Sequence, residues 1–107
     1  MAGEFDRRRH AIVDGLNRIP GIRCPMPQGA FYAFPDVAGL FGRRWRGKPL
    51  RGSADVTTFL LEAARVAVVP GADFGSDRHL RLSYACGLDS IEEGLRRIGT
   101  ACDGLGS

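Results

Sequence analysis

The stretch that decides the fold reads His79-Leu80-Arg81-Leu82-Ser83-Tyr84-Ala85. Apolar residues alternate there with Arg81 and Ser83, which is the period-two pattern of a strand with one buried face. A strand holds an arginine more firmly than a loop does, and the planar guanidinium can donate two parallel hydrogen bonds to a carboxylate. The same pattern fits an exposed strand arginine or a structural ion pair, so both interpretations stay open at this point.

Segments on either side of this strand predict its neighbours. Val66 to Val69 is a short apolar run closed by Pro70-Gly71, which is typical of a buried strand. Asp89 and Glu92 have the spacing of a capping box and predict the start of a final helix. The buried stripe of that helix is expected to consist of Ile91, Leu95, Ile98 and Cys102.

The N-terminal part of the chain predicts a helix followed by extended segments. A helical pattern runs from about Glu4 to Arg18 and stops at Pro20-Gly21. Its apolar stripe is formed by Phe5, Ile12, Val13, Leu16 and Ile19. An extended piece at Ile22 to Cys24 comes next, and then an aromatic strand at Ala30 to Phe34 that Pro35 ends.

The middle of the chain is the least regular part. Asp36 to Gly52 is rich in glycine and arginine, and we interpret it as a long loop or a short helical turn. Ser53 is expected to be the N-cap, with Asp55 in the first turn, of a helix that runs to about Ala64. The side chains of this helix that should face inward are Val56, Phe59, Leu60 and Ala63.

The predicted elements follow in the order α-β-β-α-β-β-α, which indicates the α+β class. We expect one domain over residues 1–107, built as a two-layer small domain whose three- or four-stranded sheet carries helices on one face. The apolar fraction of 44% and the charged fraction of 25% are ordinary for a globular protein, and no apolar run is long enough to span a bilayer. No signal-type apolar stretch follows Arg7 to His10 either, so we expect a cytoplasmic location. The three cysteines are an odd, sparse set without metal-like spacing, and we expect buried or half-buried, reduced thiols.

Other candidate sites carry weaker signals. Gly29 stands at a strand entry, where a glycine lets a ligand approach closely or simply makes a turn. The basic run Arg43–Arg51 around Trp45 has residue types that bind phosphates, but a solvated loop is the preferred interpretation. His10 and His79 have no carboxylate or cysteine at ligand or triad spacing, which favours structural or surface roles.

Several segments, taken together and in this order, resemble the small domain of class I pyridoxal-phosphate aminotransferases. Bacterial aspartate aminotransferases and their relatives are the nearest group. The segments are Leu16-Asn17-Arg18-Ile19-Pro20-Gly21-Ile22, Pro27-Gln28-Gly29-Ala30-Phe31-Tyr32, Val66-Ala67-Val68-Val69-Pro70-Gly71-Ala72-Asp73-Phe74-Gly75, the strand quoted first, and the helix from Asp89 to Ile98. The resemblance covers nearly the whole chain and leaves out only the tail and the Arg43–Arg51 loop.

The resemblance implies roles for particular residues. Arg81 matches the arginine that binds the α-carboxylate of the substrate in that family, and Gly29 and Phe31 would line the substrate side of the cleft. No catalytic, cofactor-binding or metal-binding residue is expected in this chain. Lys48 is its only lysine, and the context Gly47-Lys48-Pro49 is unlike that of the family's Schiff-base lysine.

The resemblance also implies a larger enzyme. That enzyme would transfer amino groups between an amino acid and a 2-oxo acid, in amino-acid metabolism, with pyridoxal phosphate held by a separate large domain. The chain alone is expected to bind no cofactor and to be inactive. A homodimer stays open, whereas membrane and nucleic-acid partners are not expected. The alternative interpretation is a stand-alone module that binds small carboxylates or a partner protein.

Overall fold

The computed structural model describes residues 2–27, 32–84 and 87–106. Its α-helices are α1 (Ala2–Asn17), α2 (Ser53–Phe59) and α3 (Leu88–Asp103). Its strands are β1 (Tyr32–Ala33), β2 (Arg44–Trp45), β3 (Lys48–Pro49), β4 (Val69–Pro70) and β5 (Leu80–Ser83). Tighter or wider helical turns occur at Ala38–Leu40 and Gly71–Phe74, which are 3₁₀ turns, and at Leu60–Ala64, which is a π turn. The predicted α+β class and all three predicted helices are confirmed.

Strand β5 is the centre of an antiparallel sheet in the order β1-β5-β4. Val69 on β4 lies across from Arg81 on β5. Along β5, Leu80 and Leu82 are buried, Arg81 is partly exposed and Ser83 is exposed. The predicted alternation of this strand is therefore confirmed. One face of the sheet belongs to the core, and the other bears Arg81.

The core lies between that sheet and the helices. Helices α1 and α3 pack against each other, and α2 packs against β4. The stripe Ile12, Val13, Leu16 and Ile19 of α1 is buried as predicted, and the Phe5 side chain lies outside the described part. Burial of an aliphatic side chain of this size stabilises a fold by roughly 1.5–3 kcal/mol. Among the described residues, no helix is long and apolar enough to cross a bilayer.

Two segments that the sequence predicted as strands pair far less than expected. The run Val66 to Val69 contributes only its last residue to β4, because its first residue donates its N–H to the carbonyl of Leu60 at the preceding helical turn (3.1 Å). Ile22 to Cys24 forms no strand, and only Arg23 makes a single bridge to Asp36, through N–H···O distances of 2.9 and 2.6 Å. At Val66, a local hydrogen bond at the helix end thus overrides apolar patterning.

The segment predicted as a long loop or a short helical turn contains more structure than that. The 3₁₀ turn at Ala38–Leu40 confirms the helical turn. The loop assignment is wrong for β2 and β3, which form an antiparallel hairpin. Arg46 and Gly47 join these strands with φ values of 54° and 79°. Two consecutive positive φ values are what a tight type I′ hairpin turn requires, and an arginine at the first position gives no sequence signal for it.

Both predicted helix caps are wrong. Helix α2 begins at Ser53 itself, Gly52 precedes it, and the Ser53 hydroxyl donates to Asp77 at 2.9 Å instead of capping the helix. Helix α3 has no side-chain cap, so the capping box of Asp89 with Glu92 does not form. Ser53 is the first residue of its helix and Asp89 is the second of its helix, so neither lies at the N-cap position, where a side chain can accept from the first free N–H groups.

The buried stripe of α2 shifts where the helix widens. Val56, Phe59 and Leu60 are buried as predicted, but Ala63 is exposed and Ala64 is buried in its place. The π turn over Leu60–Ala64 accounts for the shift, because an i to i+5 turn rotates the following side chains relative to an ideal helix.

Candidate functional site

Arg81 lies in the middle of the sheet face that points away from the core. Its guanidinium carbon is 4.7 Å from the centroid of the Tyr32 ring, a cation–π distance. Its Nε atom is buried and has no hydrogen-bond partner among the described residues. A buried donor left without an acceptor costs roughly 1–3 kcal/mol. The side chain is therefore held in place while its charge lacks an acidic partner in the described part of the chain.

The residues beside the arginine are apolar or aromatic. Val69 lies across from it on β4. On the other side, the N–H of Leu80 donates to the carbonyl of Pro35 at 3.0 Å, which continues the β1–β5 register and brings Phe34 across from the arginine. Phe34 meets Phe74 edge-on at 5.8 Å between ring centroids. These rings are 40% and 43% exposed, which forms an open apolar rim around the guanidinium.

A polar network around the buried Ser53 fixes the turn that leads into β5. The Ser53 hydroxyl donates to Asp77 at 2.9 Å and accepts from the N–H of Ala72 at 3.0 Å. Only glycine fits at position 71, because a Cβ on Gly71 would lie 2.0 Å from the carbonyl oxygen of Ser76. The start of β5 is thus tied to α2, which supports a defined position for Arg81.

The acid that follows Phe34 on the same face is already engaged. Asp36 accepts from the Arg78 Nε at 2.8 Å and from the N–H of Ala38 at 2.9 Å. Partial burial by itself would raise the pKa of Asp36, but these hydrogen bonds and the Arg78 charge outweigh it and hold the pKa below its usual range. Asp36 is therefore ionised at neutral pH and committed to Arg78 instead of Arg81.

The remaining candidate residues are two that the structure does not describe and two histidines. Gly29 and Phe31 lie outside the described residues. His79 places its Nδ1 2.6 Å from the Ser76 hydroxyl, and His10 is exposed on α1. Within residues 2–27, 32–84 and 87–106, no group of three His, Cys, Asp or Glu side chains could hold a metal ion.

The cysteines are inert where they are described. Cys24 and Cys102 are buried and free, which confirms the prediction for these two. Burial raises the pKa of each thiol to about 11, so both are protonated at neutral pH. Cys86 lies outside the described residues.

The basic run Arg43–Arg51 forms the β2–β3 hairpin, separate from the sheet of Arg81. Trp45 packs edge-on against Phe59 at 5.5 Å. The guanidinium of Arg46 lies 4.5 Å from the Trp45 ring centroid and pairs with Glu62 at 2.9 Å. The interpretation of this run as a solvated loop is therefore wrong, because it forms an ordered hairpin.

The sequence did not single out the aromatic surroundings of Arg81. Tyr32 and Phe34 are two residues apart in a strand, and this spacing is the signal that could have placed them on one face. Phe74 belongs to a separate turn, so nothing in the local sequence indicates its contact with Phe34. The Ser53–Asp77 bond joins residues 24 positions apart and has no local signal either.

The fold agrees with comparisons to known proteins. Residues 1–98 match the family model for aminotransferase class I and II. An aspartate aminotransferase of Streptomyces avermitilis is 50% identical over 92% of this chain, and one of Rhizobium meliloti is 46% identical over 94%. The chain therefore belongs to the class I and II aminotransferase family. It spans about a quarter of these relatives, 24% and 25% of their lengths.

Solved structures show the same fold. The crystal structure of the aspartate aminotransferase from Rhizobium meliloti superposes with a TM-score of 0.91 at 46% identity, over 94% of this chain and 26% of that one. An alanine aminotransferase from Pyrococcus furiosus superposes with a TM-score of 0.81 at 29% identity, over 94% and 24%. The chain matches the small domain of these aminotransferase structures, which confirms the resemblance found in the sequence.

The lysine of this chain is not placed to hold, beside Arg81, the pyridoxal phosphate that the family implies. Lys48 is the single lysine of the sequence and is exposed on β3. It lines a groove with Trp45 and Arg51, and no residue of β5 lines that groove. A lysine so placed cannot share a site with Arg81.

Proposed function

We propose that this chain is the C-terminal small domain of a cytoplasmic aminotransferase, in which Arg81 binds the α-carboxylate of the amino-acid or 2-oxo-acid substrate. The observation that carries the proposal is the partly buried guanidinium whose Nε lacks an acceptor among the described residues and whose neighbours Val69 and Phe34 are apolar. A substrate carboxylate supplies the negative charge and the acceptor atoms that the surrounding strands do not. Charge-assisted bonds of this kind are about twice as strong as neutral ones.

The chain's own residues would perform three tasks in such an enzyme. Arg81 orients the substrate through its fork of donors. Tyr32 lies against one face of the guanidinium and limits its rotation. The Phe34–Phe74 pair surrounds the approach with apolar surface, which helps to exclude water once a second domain covers it. Pyridoxal phosphate, held elsewhere in the complete enzyme, would supply the electron sink for the chemistry.

A chimaera tests the proposal. The matching quarter of the Rhizobium meliloti aspartate aminotransferase is replaced by this chain, which is 46% identical to it. We expect the chimaera to bind its cofactor and to transaminate aspartate. Arg81→Leu should lower kcat/KM by about 100-fold, which corresponds to roughly 3 kcal/mol of lost charged contact. The cofactor absorbance should stay unchanged, because Arg81 is assigned to the substrate alone.

Arg78→Leu is the matched control. Arg78 precedes the same strand, but it is exposed and paired with Asp36, so its removal should change kcat/KM by less than about fivefold. Unchanged kinetics in the Arg81→Leu chimaera would contradict the role of Arg81. A chimaera that folds and binds cofactor but stays inactive with Arg81 present would contradict the small-domain assignment.

A second candidate function is a stand-alone module that binds a partner protein through the same face. The observation that favours it is the cluster of exposed rings, Tyr32, Phe34 and Phe74, each at least 40% exposed. Light scattering on the 107-residue chain distinguishes the two candidates. A dimer that Phe34→Ser dissociates would support the module, whereas a monomer at all concentrations would count against self-association.

A further inference from the structure

A second concave surface lies on the hairpin, away from Arg81. We call it the hairpin groove: a cleft of about 620 Å³ between the β2–β3 hairpin and α2. Its volume falls within the range of small-molecule sites, roughly 300–1,000 Å³. Its main lining consists of three apolar and three cationic residues, Trp45, Pro49, Leu50, Arg46, Lys48 and Arg51.

The charges of the hairpin groove do not cancel. Arg46 is neutralised by Glu62 at 2.9 Å. Lys48 and Arg51 form no ion pair with any residue in the described ranges. Asp55, the one acidic residue in the lining, has its carboxylate turned to the backbone N–H of Arg51 at 3.0 Å. Two cations are therefore available at the rim, against one carboxylate that is already hydrogen-bonded.

The floor of the groove is rigid. Leu50 is 3% exposed and Trp45 is partly buried against Phe59, with 5.5 Å between the ring centroids. The turn residue Arg46 has a φ of 54°, an uncommon value for a residue other than glycine. Its guanidinium lies 4.5 Å from the Trp45 ring centroid, which favours this conformation. The groove therefore exists before any ligand arrives, which lowers the ordering cost of binding.

We propose that the hairpin groove binds a small organic anion with a flat apolar group, that is, an aryl carboxylate or an aryl phosphate. The ring would lie on the apolar floor of Trp45 and Leu50, and the anionic group would lie between Lys48 and Arg51. A nucleic-acid strand fits less well, because such strands need several aromatic platforms and the groove holds one. This site shares no lining residue with the Arg81 face.

Trp45 is the only tryptophan of the sequence, so its fluorescence reports on the groove directly. The 107-residue chain is titrated with phenyl phosphate and with benzoate, which distinguish a phosphate from a carboxylate ligand. Two half-probes are titrated in the same way: inorganic phosphate, which has the anion without the ring, and benzyl alcohol, which has the ring without the anion. We expect a saturable change with at least one aryl anion at a Kd of about 1 mM, and no saturation with either half-probe in that range. Higher salt should weaken the binding.

Substitutions on the rim assign the signal to the groove. Lys48→Gln and Arg51→Gln should each raise the Kd at least about fivefold. Glu62→Gln should lower it about twofold, because it frees the charge of Arg46. Arg7→Gln, at an exposed position of α1, is the matched control and should leave the Kd unchanged. All variants are exposed at the surface, and circular dichroism checks that each is folded.

Three results would overturn the proposal. One is the absence of a saturable change in the folded chain, and a second is saturation by inorganic phosphate as tight as that by phenyl phosphate. The third is tighter binding of a 20-nucleotide single strand than of either aryl anion, which would favour a nucleic-acid surface. Arg81→Leu should not affect the titration, so a failure here is distinct from a failure of the aminotransferase proposal.

Discussion

Two arginines of this chain make nearly the same contact with an aromatic ring, yet their surroundings are opposite. Arg81 lies 4.7 Å from the Tyr32 ring centroid and Arg46 lies 4.5 Å from that of Trp45. Arg46 sits on an exposed turn, 68% of its side chain is accessible, and Glu62 neutralises it at 2.9 Å. Arg81 sits inside a central strand, and its buried Nε has no hydrogen-bond partner among the described residues.

The difference teaches that a ring contact alone does not mark a binding residue. What distinguishes Arg81 is that its charge is partly withdrawn from water and met by no acid in the described part of the chain. The burial of the two rings is opposite to that of the two arginines: Trp45 packs against Phe59, whereas Tyr32 is 41% exposed. One pair is thus built around a structural ring, and the other around a cation for which we propose a binding role.

The largest expected effect is on the free energy of unfolding, and it differs between substitutions of the two rings. Trp45→Ala should lower the free energy of unfolding by about 2–3 kcal/mol, because it leaves a gap against Phe59. Tyr32→Ala should lower it by less than about 1 kcal/mol, because Tyr32 is 41% exposed and its ring lies against the exposed-face residue Arg81. Urea unfolding followed by circular dichroism measures both. Equal losses would show that the two faces are equally structural.

The next largest effect is a difference in stability between substitutions of the two arginines. Arg81→Leu should raise the free energy of unfolding of the isolated chain by about 1 kcal/mol, because it removes a buried donor without an acceptor. Arg46→Leu is the matched substitution and should change stability by no more than about 0.5 kcal/mol. Thermal unfolding of both variants is the measurement. Destabilisation by Arg81→Leu would mean that its guanidinium stabilises the chain without a ligand.

A pH series tests whether Asp36 is committed to Arg78. The folded pKa of Asp36 is lowered, so its contribution is fully present above the usual aspartate pKa of about 3.9 and is lost as the pH falls through the lower folded value. Asp36→Asn should cost no more than about 1 kcal/mol at pH 7, since Arg78 is exposed. The gap between the two proteins should close in acid. A gap independent of pH would exclude an ionised Asp36 as its cause.

The smallest expected effect concerns the Arg46–Glu62 pair. A double-mutant cycle with Arg46→Gln and Glu62→Gln should give a coupling energy below about 0.5 kcal/mol, because both side chains are exposed. The coupling should vanish in 1 M salt, where the Debye length is about 3 Å. Coupling that survives high salt would place this pair in a less exposed environment than that of a surface bridge.

Local patterns predicted the parts of the fold that local physics governs. The stripe of α1 and the alternation along β5 were found because side-chain periodicity directly follows from backbone geometry. Predictions failed where another group competed for the same atoms. Ser53 bonds to Asp77, 24 positions away, instead of capping its helix. The run that begins at Val66 gives its first N–H to Leu60 in the preceding π turn, and apolar patterning does not reveal that turn.

The candidate site divides in the same way. The sequence by itself determined the family, the strand and the choice of Arg81 as the candidate binding residue, because ordered motifs and period-two alternation are properties of the chain alone. Only the tertiary structure decided that apolar side chains flank this arginine, that Asp36 is occupied by Arg78, and that the Arg43–Arg51 run closes into a groove. Those features depend on strand register and on contacts between distant segments, and they are fixed only when the elements pack together.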